Sequence, residues 1–251
     1  MNAGNGNTLS NLGRLSKDTD FQELKNTYSV SCPFDEVLPI EAIKEPTPPV
    51  PLGLVLSKIH IDSPLQSVFS VFYAKVKGQY KGIKNVYYKK DLTLLQVYNL
   101  IKGPSFRAET DTLQAYTDEQ EAKKFKSTYF NYACFSGTFS YRKASKLIKH
   151  SWLICIDLDK LGSKLYRIRE TINKDPLTIM SFISPSGNGL KVIYQIDPEK
   201  HSQSKYYQYL SDYLSNLCSL PKKAIDDSCK DVSRACFLPH DPNCYINLNL
   251  L

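Results

Sequence analysis

The sequence predicts an α+β domain, on three observations. Strand-length runs rich in β-branched and aromatic residues alternate with segments of helical apolar spacing. Glycine and proline punctuate the boundaries between them. The composition is that of an ordinary globular chain: of 251 residues, 42% are hydrophobic and 23% charged. This suffices for a real core and excludes a largely disordered chain.

The elements follow in order. Residues 1–61 read as a flexible leader and proline-rich linker, and residues 62–251 as the folded domain. The leader is Gly/Asn/Ser-rich and ends in Pro46, Pro48, Pro49 and Pro51, which favour extended polyproline geometry. Within it, Phe21–Tyr28 has the pattern of a short helix outside the core. In the body, Ser67–Val76 (SVFSVFYAKV) predicts the first strand. Asp91 then precedes a helix with Leu94, Leu95, Tyr98 and Ile101 at helical spacing, which Gly103-Pro104 stops. A second, charged helix is predicted from Thr117 to Tyr129, with Thr117 as its cap and Gln120 three residues on.

The later elements are more apolar. Trp152–Leu158 (WLICIDL) predicts a buried strand and Ser163–Asn173 a crossover helix. Leu177–Ile183 and Leu190–Ile196 predict strands joined by a tight SPSGNG turn. A tyrosine-rich helix is expected over Ser202–Cys218, with Tyr206, Tyr209, Tyr213, Leu214 and Leu217 near one face. Ala235–Leu238 predicts a last strand. No internal repeat is visible.

Charge and cysteine usage narrow the function classes. The net charge is +7, but residues 1–50 hold 4 basic and 7 acidic residues. The remaining 28 basic and 18 acidic residues give residues 51–251 a net charge of +10. A positive body of that size suits a polyanionic partner, nucleic acid first, although basic charge alone fits a plain soluble protein equally well. No uncharged apolar run approaches the roughly 18 residues of a membrane span, so no membrane partner is expected. The polar start lacks a secretory signal, and the seven cysteines include no CxxC pair. The expected setting is therefore cytoplasmic, with reduced thiols.

Three motifs carry chemistry. Asp157 and Asp159 interrupt the apolar strand WLICIDLDK. Strand alternation puts Leu153, Cys155, Asp157 and Asp159 on one side and Ile154, Ile156 and Leu158 on the other. Two carboxylates on one strand face repel unless a cation lies between them, and hard divalent ions such as Mg²⁺ or Mn²⁺ suit those oxygens. The alternative is that one aspartate caps the next helix and the other forms an ion pair. The second motif is Ser184-Pro185-Ser186-Gly187-Asn188-Gly189-Leu190-Lys191. Its small residues let backbone N–H groups approach an anion, Ser184 and Ser186 add hydroxyl donors, and Lys191 stands within reach of a phosphate. The GxxxxGK spacing of a Walker loop is absent, and a plain hairpin with a surface lysine reads the same way. The third motif is Ile225-Asp226-Asp227-Ser228 with Asp231 and Arg234. It either completes a carboxylate triad beside a phosphate-binding arginine or forms a solvated loop with a helix cap. Cys229, Cys236, His240 and Cys244 also lie close in sequence. Their six-residue Cys–Cys gap lacks a zinc knuckle, which favours buried free thiols over a zinc site.

Read together as FSGTF (135–139), KHSWLICIDLDKL (149–161), FISPSGNGLKVIY (182–194) and IDDSCKDVSRACFLPHDP (225–242), the string resembles the N-terminal domain of VirE-like (virulence-associated E) proteins. These occur on phage and mobile-element replication proteins. That domain is similar to the catalytic core of the archaeo-eukaryotic primase superfamily, the primase-polymerases. The resemblance covers roughly residues 65–247. It implies an RRM-like core, a mixed or antiparallel sheet with flanking helices. It also implies that Asp157, Asp159 and Asp226, with Asp227 as fallback, hold catalytic Mg²⁺ or Mn²⁺. Ser184, Ser186, Lys191 and Arg234 would then bind the phosphates of a nucleoside triphosphate, and Arg107 and Lys124 would contact nucleic acid. The family's usual histidine in the second motif is absent, with Lys191 in its neighbourhood.

The leading expectation is thus DNA-templated nucleotidyl transfer by two metal ions, on a single-stranded or primed template. The chain carries no Walker motif, so a helicase or ATPase partner would be separate. A non-catalytic module that delivers such a partner to DNA is the alternative. A metal-dependent nuclease is weaker still, because no ExK-type pair accompanies the DxD.

Overall fold

The computed structural model describes residues 63–250. The leader, its proline cluster and the Phe21–Tyr28 helix lie outside the described residues. Twelve strands and five α-helices follow in chain order. They are β1 (Val68–Phe72), β2 (Lys75–Val76), β3 (Gln79–Tyr80), β4 (Lys89–Thr93), α1 (Leu94–Lys102), α2 (Arg107–Gln114) and α3 (Glu119–Tyr129). Next come β5 (Tyr132–Cys134), β6 (Gly137–Phe139), β7 (Leu147–His150), β8 (Leu153–Leu158), α4 (Leu165–Lys174), β9 (Met180–Ile183) and β10 (Leu190–Gln195). The last are α5 (Gln203–Leu217), β11 (Cys236–Phe237) and β12 (Tyr245–Ile246). The fold is mixed α+β, with antiparallel sheets.

Two four-stranded sheets form the body, ordered β11-β5-β1-β4 and β12-β9-β10-β8. In the second, β8 and β9 both run antiparallel to β10, which lies between them. They are therefore parallel to each other, and α4 is the crossover that joins them. After α5 the chain returns to the free edge of β8, where Ile225 forms an antiparallel bridge with Leu158. Neighbouring bonds from Asp226 N–H to the Asp157 carbonyl (2.9 Å) and from Asp159 N–H to the Ala224 carbonyl (2.8 Å) extend it. The order is β-α-β-β-α followed by a strand reduced to a few residues, the split β-α-β pattern.

Both faces of the second sheet are covered, which explains why β8 and β10 read as nearly continuous apolar runs. Ile154, Ile156, Leu158, Val192 and Tyr194 pack against Leu165, Ile168 and Ile172 of α4 and Tyr206, Leu210 and Leu214 of α5. The opposite face, with Leu153, Met180, Phe182 and Ile193, meets Phe69, Val71, Ala133 and Phe135 from the first sheet's side. Each such side chain taken from water contributes about 1.5–3 kcal/mol. Val97 and Ile101 of α1 close the same cluster.

Several local boundaries differ from expectation. The run Ser67–Val76 is two strands, because the Ala74 N–H is claimed by Asn131 Oδ1 (2.7 Å) and its carbonyl by Lys81 and Gly82. β2 then turns at Lys77-Gly78 to pair with β3. Asp91 lies in β4; the cap of α1 is Thr93, in a capping box with Gln96. Asp118, which accepts the Glu121 N–H at 2.7 Å, caps α3 in place of Thr117. In α5 the fully buried stripe is Gln203, Tyr206, Tyr207, Leu210, Ser211 and Leu214, while Tyr209, Tyr213 and Leu217 flank it, partly buried. Helix α2 and strands β5, β6, β7 and β12 are too short or too weakly patterned to have been anticipated. No helix among the described residues is long and apolar enough to cross a membrane.

Candidate metal centre and cationic cleft

The alternation along β8 holds as expected, with Leu153 and Cys155 toward the first sheet and Ile154, Ile156 and Leu158 toward the helices. Asp157 continues the first-sheet side at the point where the apolar core ends. It is buried, and its register partner on β10 is Lys191, itself buried. The Lys191 ammonium pairs with Asp157 Oδ2. Burial alone would depress the lysine's pKa, but the Asp157 carboxylate outweighs it and holds Lys191 above its ordinary range.

Asp157, Asp159 and Asp226 converge. One carboxylate oxygen from each lies within 4.8 Å of the others. Asp157 is buried, Asp226 half-buried and Asp159 exposed, so the group opens to solvent on one side. The Ile225–Leu158 bridge delivers Asp226 to this position and leaves Asp227 outside, paired with Lys230. Of the two aspartates read as possible third carboxylates, it is Asp226 that joins the trio. Asp226 Oδ1 accepts from Ser228 N–H (2.9 Å) and Ser228 Oγ (2.7 Å), while Oδ2 pairs with Arg234. Burial pushes the Asp226 pKa up, but the Ser228 bonds and Arg234 outweigh it and hold the carboxyl below its usual range. At Asp159, burial and then the Asp157 charge push the pKa up. Asp157 Oδ1 is buried without a hydrogen-bond partner.

These features answer whether a cation fits. A buried carboxylate oxygen without a donor is costly unless a positive charge meets it. Three carboxylates also outnumber the two cations, Lys191 and Arg234, that pair with them. The donor set is all oxygen, the chemistry of a hard divalent ion, so the trio could hold a metal ion.

The carboxylates face a cleft of about 700 Å³. Ser184 and Ser186 line it from the β9–β10 turn, Lys191 from β10, Arg234 and Lys230 from the segment before β11, Lys126 from α3, and Arg142 and Lys143 from the β6–β7 connection. The turn is anchored: Asn188 accepts Leu161 N–H through its carbonyl (3.1 Å) and Gly162 N–H through its side chain (2.7 Å). The Ser184 and Ser186 hydroxyls lie 3.3 Å apart. A Cβ on Gly189 would stand 2.6 Å from the Leu158 carbonyl oxygen, so only glycine lets the turn approach β8 this closely.

Four of these cations are additions to the sequence reading: Lys126, Arg142, Lys143 and Lys230. Lys126 had a signal, since it falls on the half-buried stripe of α3 with Ala122 and Phe125, whereas Lys123 and Lys124 are exposed. Burial and the Lys191 charge push its pKa down. Arg107 and Lys124 do not line the cleft. Arg107 is exposed beside His240, with Nε 3.3 Å from Nε2, and Lys124 is exposed on α3. Cys229, Cys236 and Cys244 are buried free thiols. His240 instead bonds the Gly103 carbonyl (2.7 Å), and these four residues form no metal-binding group among the described residues.

No curated protein and no solved structure matches the chain. A family model described as BT4734-like, N-terminal domain, matches residues 124–246. The chain is similar to that family over the stretch from α3 to β12, which carries all three aspartates, the glycine turn with Lys191, and Arg234.

Proposed function

We propose that the domain is a primase-polymerase-like nucleotidyltransferase of a phage or mobile-element replication protein, which extends a strand on a DNA template. The observation that carries this reading is the meeting of three carboxylates, one with an unpartnered buried oxygen, with a cleft lined by at least five basic side chains. An enzyme that handles a polyanion needs positive charge where phosphates lie and negative charge where metal lies. The β-α-β-β-α order with a residual strand at Ile225 supports an RRM-like core.

In this reading Asp157, Asp159 and Asp226 hold Mg²⁺ or Mn²⁺. Such ions, when bound, stabilise charge on the attacking and leaving oxygens of an in-line displacement. Lys191 fixes Asp157 in one rotamer and lends positive charge to the cleft floor. Arg234 does the same for Asp226 and offers its remaining N–H groups to a triphosphate. Ser184 and Ser186 present hydroxyls to the same anion, and Lys126, Arg142 and Lys230 balance its charge. Arg107 and Lys124 remain proposed contacts for nucleic acid beyond the cleft.

The test is extension of a labelled primer on single-stranded DNA, with Mn²⁺ and either deoxynucleotides or ribonucleotides. Product is expected from the native chain and at least a hundredfold less from Asp157→Asn with Asp159→Asn. Absence of product from the native chain, or equal product from both, would reject the reading.

One observation favours the second reading, a non-catalytic module that brings a separate helicase or ATPase to DNA. Asp157 and Asp226 already have cationic partners, so the trio is partly neutralised from within. Calorimetry separates the two: Mn²⁺-dependent nucleotide binding lost with Asp157 supports the enzyme, whereas salt-sensitive DNA binding alone supports the module.

A further inference from the structure

Outside the stretch similar to the family lies a segment that the cleft alone does not explain. Tyr73–Lys90 contains six lysines, four tyrosines and no acidic residue. All four tyrosines are exposed: Tyr87 by 65%, Tyr88 by 48%, Tyr80 by 45% and Tyr73 by 38%. So many large rings at the surface of one segment are costly unless something covers them.

The segment is built rather than loose. Asn85 is buried at its centre and uses its whole amide. Its Nδ2 donates to the carbonyls of Tyr73 (2.9 Å) and Tyr88 (2.7 Å), and its Oδ1 accepts from the N–H groups of Tyr87 (3.1 Å) and Tyr88 (2.9 Å). The Tyr132 hydroxyl binds the Asn85 carbonyl from beneath. A buried polar network therefore holds the backbone while the tyrosine rings stay partly in solvent, Tyr87 tilted against Tyr141 at 5.3 Å and Tyr88 beneath the Lys77 ammonium at 5.9 Å. The segment also adjoins the cleft. Arg142, which lines it, donates to the Ile83 carbonyl (3.2 Å) and, through its backbone, to the Val86 carbonyl (2.9 Å). From Tyr80 the aromatic surface continues onto α3, with Tyr80 against Tyr129 and Tyr129 against Phe125, each pair at 4.6 Å.

We propose that this lysine–tyrosine surface is a stacking platform for single-stranded nucleic acid entering or leaving the cleft. Exposed ring faces bind the faces of unpaired bases, which a duplex hides, and the interleaved lysines match the phosphates. The absence of any acidic residue suits a polyanion. This inference shares with the proposed function only the class of partner, and binding is tested without metal or nucleotide.

The experiment is fluorescence anisotropy of the native chain with a labelled twenty-nucleotide oligothymidine, the matching duplex, and vesicles containing phosphatidylserine. The expected result is preference for the single strand, with affinity falling about tenfold or more in Tyr87→Ala with Tyr88→Ala. Tryptophan at both positions is expected to restore it, with unchanged circular dichroism in each variant. In a second, fold-neutral variant, Lys77→Gln with Lys81→Gln, the slope of log affinity against log salt is expected to be shallower by about 1–2. Equal binding by native and alanine variants, equal affinity for duplex, or binding to vesicles without binding to the oligonucleotide would each overturn the proposal. Tyrosine-dependent binding without primer extension would uphold the platform and reject the transferase. Extension with tyrosine-independent binding would do the reverse.

Discussion

Lys191 and Asp157 show how one residue pair constrains both stability and chemistry. Each is buried, so removing one partner leaves the other's charge unpaired in a low-dielectric setting, at a cost of about 3–5 kcal/mol. Lys191→Met is therefore expected to lower the urea midpoint strongly. Adding Asp157→Asn to it should recover much of the loss, because the second change removes the stranded charge. A double-mutant cycle of urea midpoints measures this, and additive losses would show that the pair is uncoupled. Addition of Mn²⁺ should rescue neither variant that lacks Asp157, which separates the lysine's structural part from the carboxylate's binding part.

Among the elements, β8 depends on how it begins. His150 ends β7, and its Nδ1 accepts the Trp152 N–H at 2.9 Å, across a turn in which Trp152 takes a left-handed φ of 66°. Only the neutral ring accepts at that nitrogen. Burial pushes the His150 pKa down, with a contact from Gln203 opposing it. The sign follows from linkage: as pH falls through the ordinary histidine range near 6.5, the unfolded chain takes up the proton before the folded one. The stability associated with the neutral ring is complete above that range and is lost progressively as pH falls through the folded pKa. Urea midpoints at pH 7.5 and 5.5 are expected to fall further in the native chain than in His150→Gln; equal falls would contradict this assignment.

At the scale of the molecule, the carboxylate trio exists only when the fold is complete. Asp157 and Asp159 leave β8 together, but Asp226 arrives after α4, β9, β10 and α5 have been laid down. A metal bound there binds the native state and not the unfolded one, so it adds to stability by mass action. Millimolar Mn²⁺ is expected to raise the native melting temperature by a few degrees, an increase lost in Asp159→Asn. An undiminished rise in that variant would place the ion elsewhere. Melting before and after a chelator checks that the effect is reversible.

The strand Leu153–Leu158, the helix Gln203–Leu217 and the β9–β10 turn follow from local periodicity and glycine chemistry, which depend on near neighbours alone. So does the placement of Asp157 and Asp159 at the end of one strand. The hairpin at Lys77-Gly78, the cap at Thr93 and strands of two or three residues were not legible, because tertiary bonds such as Asn131 to Ala74 decide them. The site divides the same way. Its motif aspartates, Lys191 and Arg234 stand out as charges in apolar or ordered settings and Lys126 shares the helical spacing of Ala122 and Phe125, whereas Arg142 and Lys143 are ordinary polar residues until the fold brings them to one cleft. The α+β class, the buried strand Leu153–Leu158 and the candidate charges are read from the chain alone, since periodicity and composition are local properties. Only the tertiary structure brought Asp226 beside Asp157 and Asp159 while leaving Asp227 outside, left one Asp157 oxygen without a donor and gathered the basic side chains along one cleft beside the trio. Those outcomes depend on distances between residues far apart in sequence, and strand pairing sets such distances.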